Sequence, residues 1–195
     1  MALKNSYTTS DRLDWDVATN LVRRLYRDKQ YRLSLLVGCG IFFGLRISDL
    51  RQLTWAMLLN GDKFVLREKK TGKRREVSIN KQFQQHIREC AEALNITNME
   101  QPCFLSHKKR VFSTQRINVL LKEIKAKYRL NIEHFSTHTF RKTFGYRIFS
   151  ISGDNADVAL IKLMELFNHS NVAITKRYLG IRQEELAECY SMLSF

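Results

Sequence analysis

From Leu33 to Leu45 the chain runs 13 residues without a charge, with Ser34 its one polar interruption and Arg46 closing it. A segment apolar on every side has to be surrounded by the rest of the fold, and this one is well short of the roughly 20 residues needed to cross a bilayer. It predicts a buried central helix, from about Tyr31 to near Gly44, with the other elements packed around it. The polar stretch Met1 to Ser10 has neither the apolar core of a secretory leader nor a lipid-anchor motif, so the expected location is the cytoplasm. Cys39, Cys90, Cys103 and Cys189 are scattered with no Cys-x-x-Cys pair, which fits reduced thiols, no zinc site and no disulfide frame.

Around that helix the periodicity is mostly helical. Leu13, Val17, Leu21 and Leu25 share one face of a helix expected over Asp11 to Lys29, behind a Ser10/Asp11 start signal. Between Trp55 and Asn80 the pattern shifts to short β-rich runs, Phe64 to Leu66 and Glu76 to Ile79, punctuated by Asn60-Gly61 and Thr71-Gly72. Asn-Gly is a strong hairpin signal, so a small antiparallel sheet is expected here. Helices follow at about Lys81 to Leu94, Ser113 to Tyr128, His138 to Ser150, Ala156 to Phe167 and Gln183 to Leu193. One Pro and no Gly/Ser-rich linker or repeat point to a single domain over residues 1–195. The fold class is mainly α with a small antiparallel β-sheet (α+β).

The charge balance names a class of partner. With 33 Lys plus Arg against 19 Asp plus Glu, the net charge is +14, far beyond what solubility requires. A polyanionic partner is expected. Lys69, Lys73, Arg74 and Arg75 crowd the hairpin with Lys70, and Lys108, Lys109 and Arg110 form a second run. Lys122, Lys125, Lys127 and Arg129 line a helix end. Any one such cluster is ordinarily a solvated face; several together suggest a cradle for phosphates.

Cutting a DNA backbone without a metal takes a nucleophile, cations over the non-bridging phosphate oxygens, and an acid for the departing sugar oxygen. The chain has no Asp/Glu cluster of the two-metal kind and no phosphate loop, so no metal and no cofactor are expected. In chain order it does carry Gly44-Leu45-Arg46-Ile47-Ser48-Asp49-Leu50, Lys69-Lys70-Thr71-Gly72-Lys73, His138-Thr139-Phe140-Arg141 and Asn168-His169-Ser170, with Tyr178 nine residues beyond that histidine. Each piece alone has a blander reading. Arg46 would be a surface charge, Lys70 a solvated turn lysine, His138-x-x-Arg141 an ordinary helix face, His169 a cap, and Tyr178 half-buried packing like the other tyrosines. From spacing, Asp49 is expected to hold the Arg46 guanidinium, and Lys176, Arg177 and a cationic pocket to lower the Tyr178 pKa.

Taken together the set resembles the tyrosine recombinase (phage integrase) family across nearly the whole chain. The resemblance implies that Tyr178 attacks a scissile phosphodiester to give a 3′-phosphotyrosyl enzyme, with Arg46 and Arg141 stabilising the transition state. It further implies that His138 and His169 bond the phosphate and assist proton transfer, His138 being the better base, and that Lys70 protonates the leaving 5′ oxygen. Such enzymes act as homotetramers on DNA, though a fragment can be monomeric alone. They generally carry an N-terminal helical clamp domain, and about ten residues precede the first helix here, so the chain reads as a catalytic-domain fragment, the alternative being an unusually short natural protein. Two positions depart from the family pattern. Phe167-Asn168-His169 stands where Leu-Gly-His is usual, and Lys142 follows the second arginine where histidine is common. The rival readings are a type IB topoisomerase-like enzyme that nicks and reseals one strand, a DNA-binding regulator that keeps the fold without catalysis, and a basic helical RNA-binding domain, for which Phe64 offers a poor stacking platform.

Overall fold

The apolar run does become the central helix. The computed structural model describes residues 10–181 and 190–191. Helix α1 (Trp15–Arg27) pairs with α2 (Tyr31–Phe43), whose Leu35, Leu36, Val37, Cys39 and Ile41 are fully enclosed. Gly44 ends α2 with a left-handed φ of 56°, the conformation that lets a helix stop and turn. Two short helices follow, α3 (Ile47–Leu50) and α4 (Trp55–Leu59). Next come strands β1 (Lys63–Arg67) and β2 (Arg74–Ser78), paired antiparallel with Phe64 opposite Val77. Then come α5 (Lys81–Ala93), α6 (Thr114–Tyr128), α7 (Thr137–Ile151), α8 (Ala156–Phe167) and α9 (Val172–Leu179).

Two apolar clusters organise the molecule. The larger surrounds α2 and takes in α1, the sheet, α5 and α6; the smaller gathers Leu160, Leu163, Phe167, Leu179 and Ile181. Helix α7 joins them, because Phe140 belongs to the first while Phe144 and Ile148 pack on the second. The approach of α7 to the second cluster is close: a Cβ on Gly145 would meet Leu179 Cδ2 at 2.7 Å and the Phe167 ring at 2.8 Å.

Two expectations from the sequence need correction. Helix α1 begins at Trp15 after Asp14, four residues later than the Ser10/Asp11 signal suggested, and Val17 is exposed. Ser10 and Asp11 instead strap the chain onto the start of α7: Asp11 N–H donates to the His134 carbonyl, His134 N–H to Asp11 Oδ2, and Lys142 Nζ to the Ser10 carbonyl. Asn60-Gly61 does not form the hairpin turn. Asn60 caps α4, and the strands are joined through Glu68 to Lys73 around Thr71-Gly72. Helices α4 and α9 have too few turns to show a period. The helix expected over Gln183 to Leu193 lies largely outside the described residues. Among the described residues no helix is long and apolar enough to cross a membrane.

Candidate active site

The first arginine is placed by a helix start and held by a strand end. Arg46 is the N-cap of α3, with extended backbone at ψ 152°, so its side chain does not lie over Asp49 one turn on. Its guanidinium donates from Nη1 to Glu68 Oε2 at 2.8 Å and from Nη2 to the Phe167 carbonyl at 2.9 Å. Glu68, at the exit of β1 and only 5% exposed, is therefore the carboxylate that orients Arg46, not Asp49. Asp49 is fully buried and plays a different part, in which its Oδ1 accepts the backbone N–H of Lys69 at 2.9 Å and pins the hairpin turn to α3.

The second arginine comes from α7. Ser136 caps that helix by accepting the His138 N–H, and Thr139 Oγ1 accepts the Ser136 N–H in return, so the first turn is held at both ends. One turn on, Arg141 is 5% exposed and donates from Nη1 to the Gly44 carbonyl at 2.6 Å. Its guanidinium carbon sits 4.1 Å from the centre of the Phe167 ring, and its Nη2 has no partner among the described residues. Arg46 and Arg141 thus bracket one residue, Phe167, the former through its carbonyl and the latter over its ring. His138, three residues before Arg141, stays exposed at the helix start.

The remaining groups follow Phe167 directly. Asn168 ends α8 with φ 53°, a left-handed position where glycine is favoured and asparagine is the best-tolerated substitute. The departure at this position is thus conformationally neutral, and Asn168 Oδ1 also accepts from Lys73 Nζ at 2.7 Å, linking the hairpin to the end of α8. His169 Nδ1 shares a 3.0 Å hydrogen bond with Thr175 Oγ1, which is fully buried. The Tyr178 ring stands edge-on to His169 and Phe167, with centroid distances of 5.3 and 5.6 Å. Its hydroxyl is enclosed and has no partner among the described residues. Lys142 Nζ lies 5.4 Å from the centre of the same ring.

The electrostatics follow from that crowding. Burial, together with Arg141, Arg46 and Lys70, pushes the His169 pKa down to about 4. Although His138 keeps an exposed edge, neighbouring groups crowd its ring and strip part of its water, and that, with Lys142, Arg141 and Lys70, lowers its pKa as well. Both imidazoles are neutral at pH 7. Because Lys70 acts on both, its ammonium belongs to the same neighbourhood, although the lysine itself is exposed. Burial brings Arg141 down to about 9, helped by Arg46. For Tyr178 the expected depression does not occur: burial raises the phenol to about 12, and Arg141 and Arg46 only partly oppose it. Two enclosed polar groups without partners among the described residues, Arg141 Nη2 and the Tyr178 hydroxyl, each costing about 1–3 kcal/mol, lie amid an excess of positive charge. An anion there would satisfy them.

Of the expected DNA-contacting groups, Lys69, Lys73 and Arg74 are exposed on the hairpin, and Lys108, Lys109 and Arg110 on the loop between Leu105 and Val111. Arg75 is turned inward, donating to Glu68 Oε1 at 3.4 Å and to the Phe43 carbonyl at 2.9 Å, so it braces the pocket instead of facing solvent. Lys127 is paired with Asp28, and Lys125 donates to the Glu133 carbonyl. Sequence reasoning did not find Glu68 or Phe167, whose contacts with Arg46 join segments far apart in the chain, nor Thr71 and Thr175, whose bonds to Glu68 and His169 are local but depend on the turns that carry them.

The arrangement can be set against known proteins. A model of the phage integrase family matches residues 12–185. The probable integrase/recombinase YoeC of Bacillus subtilis (strain 168) is 30% identical over 179 residues, which is 88% of this chain and 90% of that protein. Among solved structures, XerA recombinase superposes with a TM-score of 0.71 at 20% identity, covering 94% of this chain and 66% of that one. XerH site-specific recombinase, in a post-cleavage complex with a palindromic difH substrate, gives 0.69 at 18%, covering 98% and 56%. The Tn1549 transposon integrase in complex with transposon right end DNA gives 0.67 at 17%, covering 95% and 68%. The chain thus spans between just over half and about two thirds of the length of these solved relatives. At such identities the superpositions speak for the fold, and the family match with the curated relative speaks for kinship. Fold, family model and relative agree that the chain belongs to the phage integrase family and is a tyrosine recombinase.

Proposed function

We propose that this protein cuts and rejoins double-stranded DNA at defined sites through a covalent bond to Tyr178. The observation that carries the reading is the bracketing of Phe167 by Arg46 and Arg141, with the Tyr178 ring edge-on to the same residue and its enclosed hydroxyl without a partner among the described residues. A phosphodiester seated there would take the free Nη2 of Arg141 and displace the Phe167 carbonyl from Arg46. Both guanidiniums would then lie over its non-bridging oxygens as charge builds in the pentacoordinate transition state.

With a phenol near 12, attack by a preformed phenolate is disfavoured at neutral pH, so proton removal accompanies bond formation. Neutral His138 accepts that proton, and His169 donates a hydrogen bond to the phosphate. If Thr175 donates to Nδ1, the His169 proton sits on Nε2, which suits that role. The phosphorus–O5′ bond breaks as the phosphorus–O(Tyr178) bond forms, and Lys70 supplies the proton to the 5′ oxygen. The phosphotyrosyl ester conserves the energy of the broken bond, so a 5′ hydroxyl from another strand reverses the step. That is strand exchange, and it needs no ATP. A pocket of four cations, Arg46, Lys70, Arg75 and Arg141, against two carboxylates repels a divalent ion, consistent with chemistry that requires no cofactor.

The DNA-bound neighbours support a duplex substrate, and the exposed hairpin and loop cations supply its backbone contacts. Action as a homotetramer on DNA in the cytoplasm belongs to the same proposal. The test uses overlapping nicked duplexes from the DNA flanking the gene. Wild-type protein is expected to give a covalent adduct on a denaturing gel that persists with chelator present, and Tyr178→Phe to give none. An adduct that survives Tyr178→Phe removes the nucleophile.

A further inference from the structure

We propose that Glu68 is a positioning residue that couples the first arginine to the acid: one carboxylate seats the Arg46 guanidinium and holds the turn that carries Lys70. The proposal rests on the roles given to Arg46 and Lys70 above.

A lysine on an exposed six-residue turn has four carbons of freedom and, among the described residues, no side-chain partner of its own, so a fixed path for its ammonium has to come from the backbone beneath it. That backbone is held on both sides of Lys70. Before it, Lys69 N–H donates to Asp49 Oδ1. After it, Thr71 Oγ1 donates to Glu68 Oε2 at 2.8 Å, and Gly72 N–H donates to the Glu68 carbonyl at 2.8 Å. Glu68 N–H in turn donates to the Lys73 carbonyl, closing the turn on one residue.

The oxygen that receives Thr71 also receives Arg46 Nη1 at 2.8 Å, while Oε1 faces Arg75 at 3.4 Å. Burial alone would raise the carboxyl pKa; the Thr71 bond, Arg46 and Arg75 outweigh it and hold it below the usual range, so the charge persists. Because one oxygen serves both partners, a shift of Arg46 alters the hold on Thr71. The consequence is that the acid is in register when the arginine is seated and out of register when it is not. A purely structural ion pair would hold the hairpin without affecting the leaving-group step.

The experiment compares two forms of the duplex on which the adduct is mapped, one with the natural 5′ oxygen at the cleavage point and one with a bridging 5′ sulfur. A thiol has a pKa near 8.5 and leaves as the thiolate without an acid, whereas an alkoxide does not. Lys70→Ala is expected to slow the oxygen substrate by about a hundredfold or more and to recover with sulfur. Thr71→Val is expected to lose about tenfold on oxygen, to regain most of it on sulfur, and to be restored by Thr71→Ser, the range being that of a partly displaced acid. Glu68→Gln is expected to slow both substrates, oxygen more than sulfur, since it disturbs Arg46 as well.

If Lys70→Ala is not rescued by sulfur, the role of Lys70 falls and this proposal with it. If Lys70→Ala is rescued while Thr71→Val and Glu68→Gln lose equally on oxygen and sulfur, or lose nothing, the Lys70 reading stands and the coupling through Glu68 is overturned. Thr71→Val removes a single hydroxyl from a surface turn and keeps the comparison decisive if Glu68→Gln fails to fold.

Discussion

An imidazole that loses water to burial and faces two guanidiniums and an ammonium holds its proton poorly, and His169, with a pKa of about 4, is in that position. The unfolded chain, with an ordinary histidine near 6.5, takes up the proton first as pH falls. Stability is therefore fully present above about 6.5 and falls across the window down to about 4; His138 and the half-buried His86 shift in the same direction. We expect the thermal midpoint to drop between pH 7 and pH 4.5, and to drop less steeply in His169→Gln; parallel curves would contradict the assigned environment. The residue scale also shows where reading the sequence stopped short. The six candidate groups were legible as motifs because each lies in a short local pattern. Assigning Asp49 to Arg46 assumed that positions three apart share a helix face, but Arg46 precedes the helix, and its extended backbone sends the guanidinium to Glu68 instead. That pairing depends on a hairpin folding back, which no local spacing encodes. The Tyr178 pKa was misjudged for a related reason: charges adjacent in sequence were visible, and the enclosure that outweighs them was not.

At the scale of elements, α2, α5, α6, α7 and α8 were legible to within a residue or so because each carries several turns of apolar period or a clear cap. Helix α9, of eight residues, and α4, of five, do not. The turn that ends α2 carries more of the site than its length suggests. Gly44 adopts φ 56°, its carbonyl receives Arg141, and a Cβ placed there would meet Phe144 Cδ1 at 2.2 Å. Gly44→Ala is expected to cost about 2–4 kcal/mol in denaturant unfolding, combining left-handed strain with overpacking, and to reduce cleavage further by displacing Arg141. A variant as stable as wild type would show that the turn relaxes freely. Asn168 is the counterexample: its left-handed φ is one that glycine also accepts, so only the bond to Lys73 distinguishes the two.

Across the whole molecule, two apolar clusters meet along α7 and bring a pocket assembled from α3, the hairpin, α7 and the α8–α9 turn to their junction. The net charge of +14 is carried partly by exposed hairpin and loop cations suited to phosphate contacts, whereas Arg75 and Lys127 are already committed within the fold. If about six phosphates are neutralised, affinity for duplex DNA should fall roughly a thousandfold between about 50 and 200 mM salt, read by fluorescence anisotropy; a flat response would argue against backbone contacts. Basic excess was legible from composition, while the division between bracing and exposed cations required the fold. What all of this depends on is that Tyr178 forms the bond to DNA while the two arginines hold the phosphate. Trypsin digestion of the covalent adduct, followed by mass spectrometry, tests that directly. The expected product is a nucleotide joined through its 3′ phosphate to Tyr178, within the peptide that begins after Arg177. A nucleotide on any other residue, or one joined through a 5′ phosphate, would contradict that chemistry.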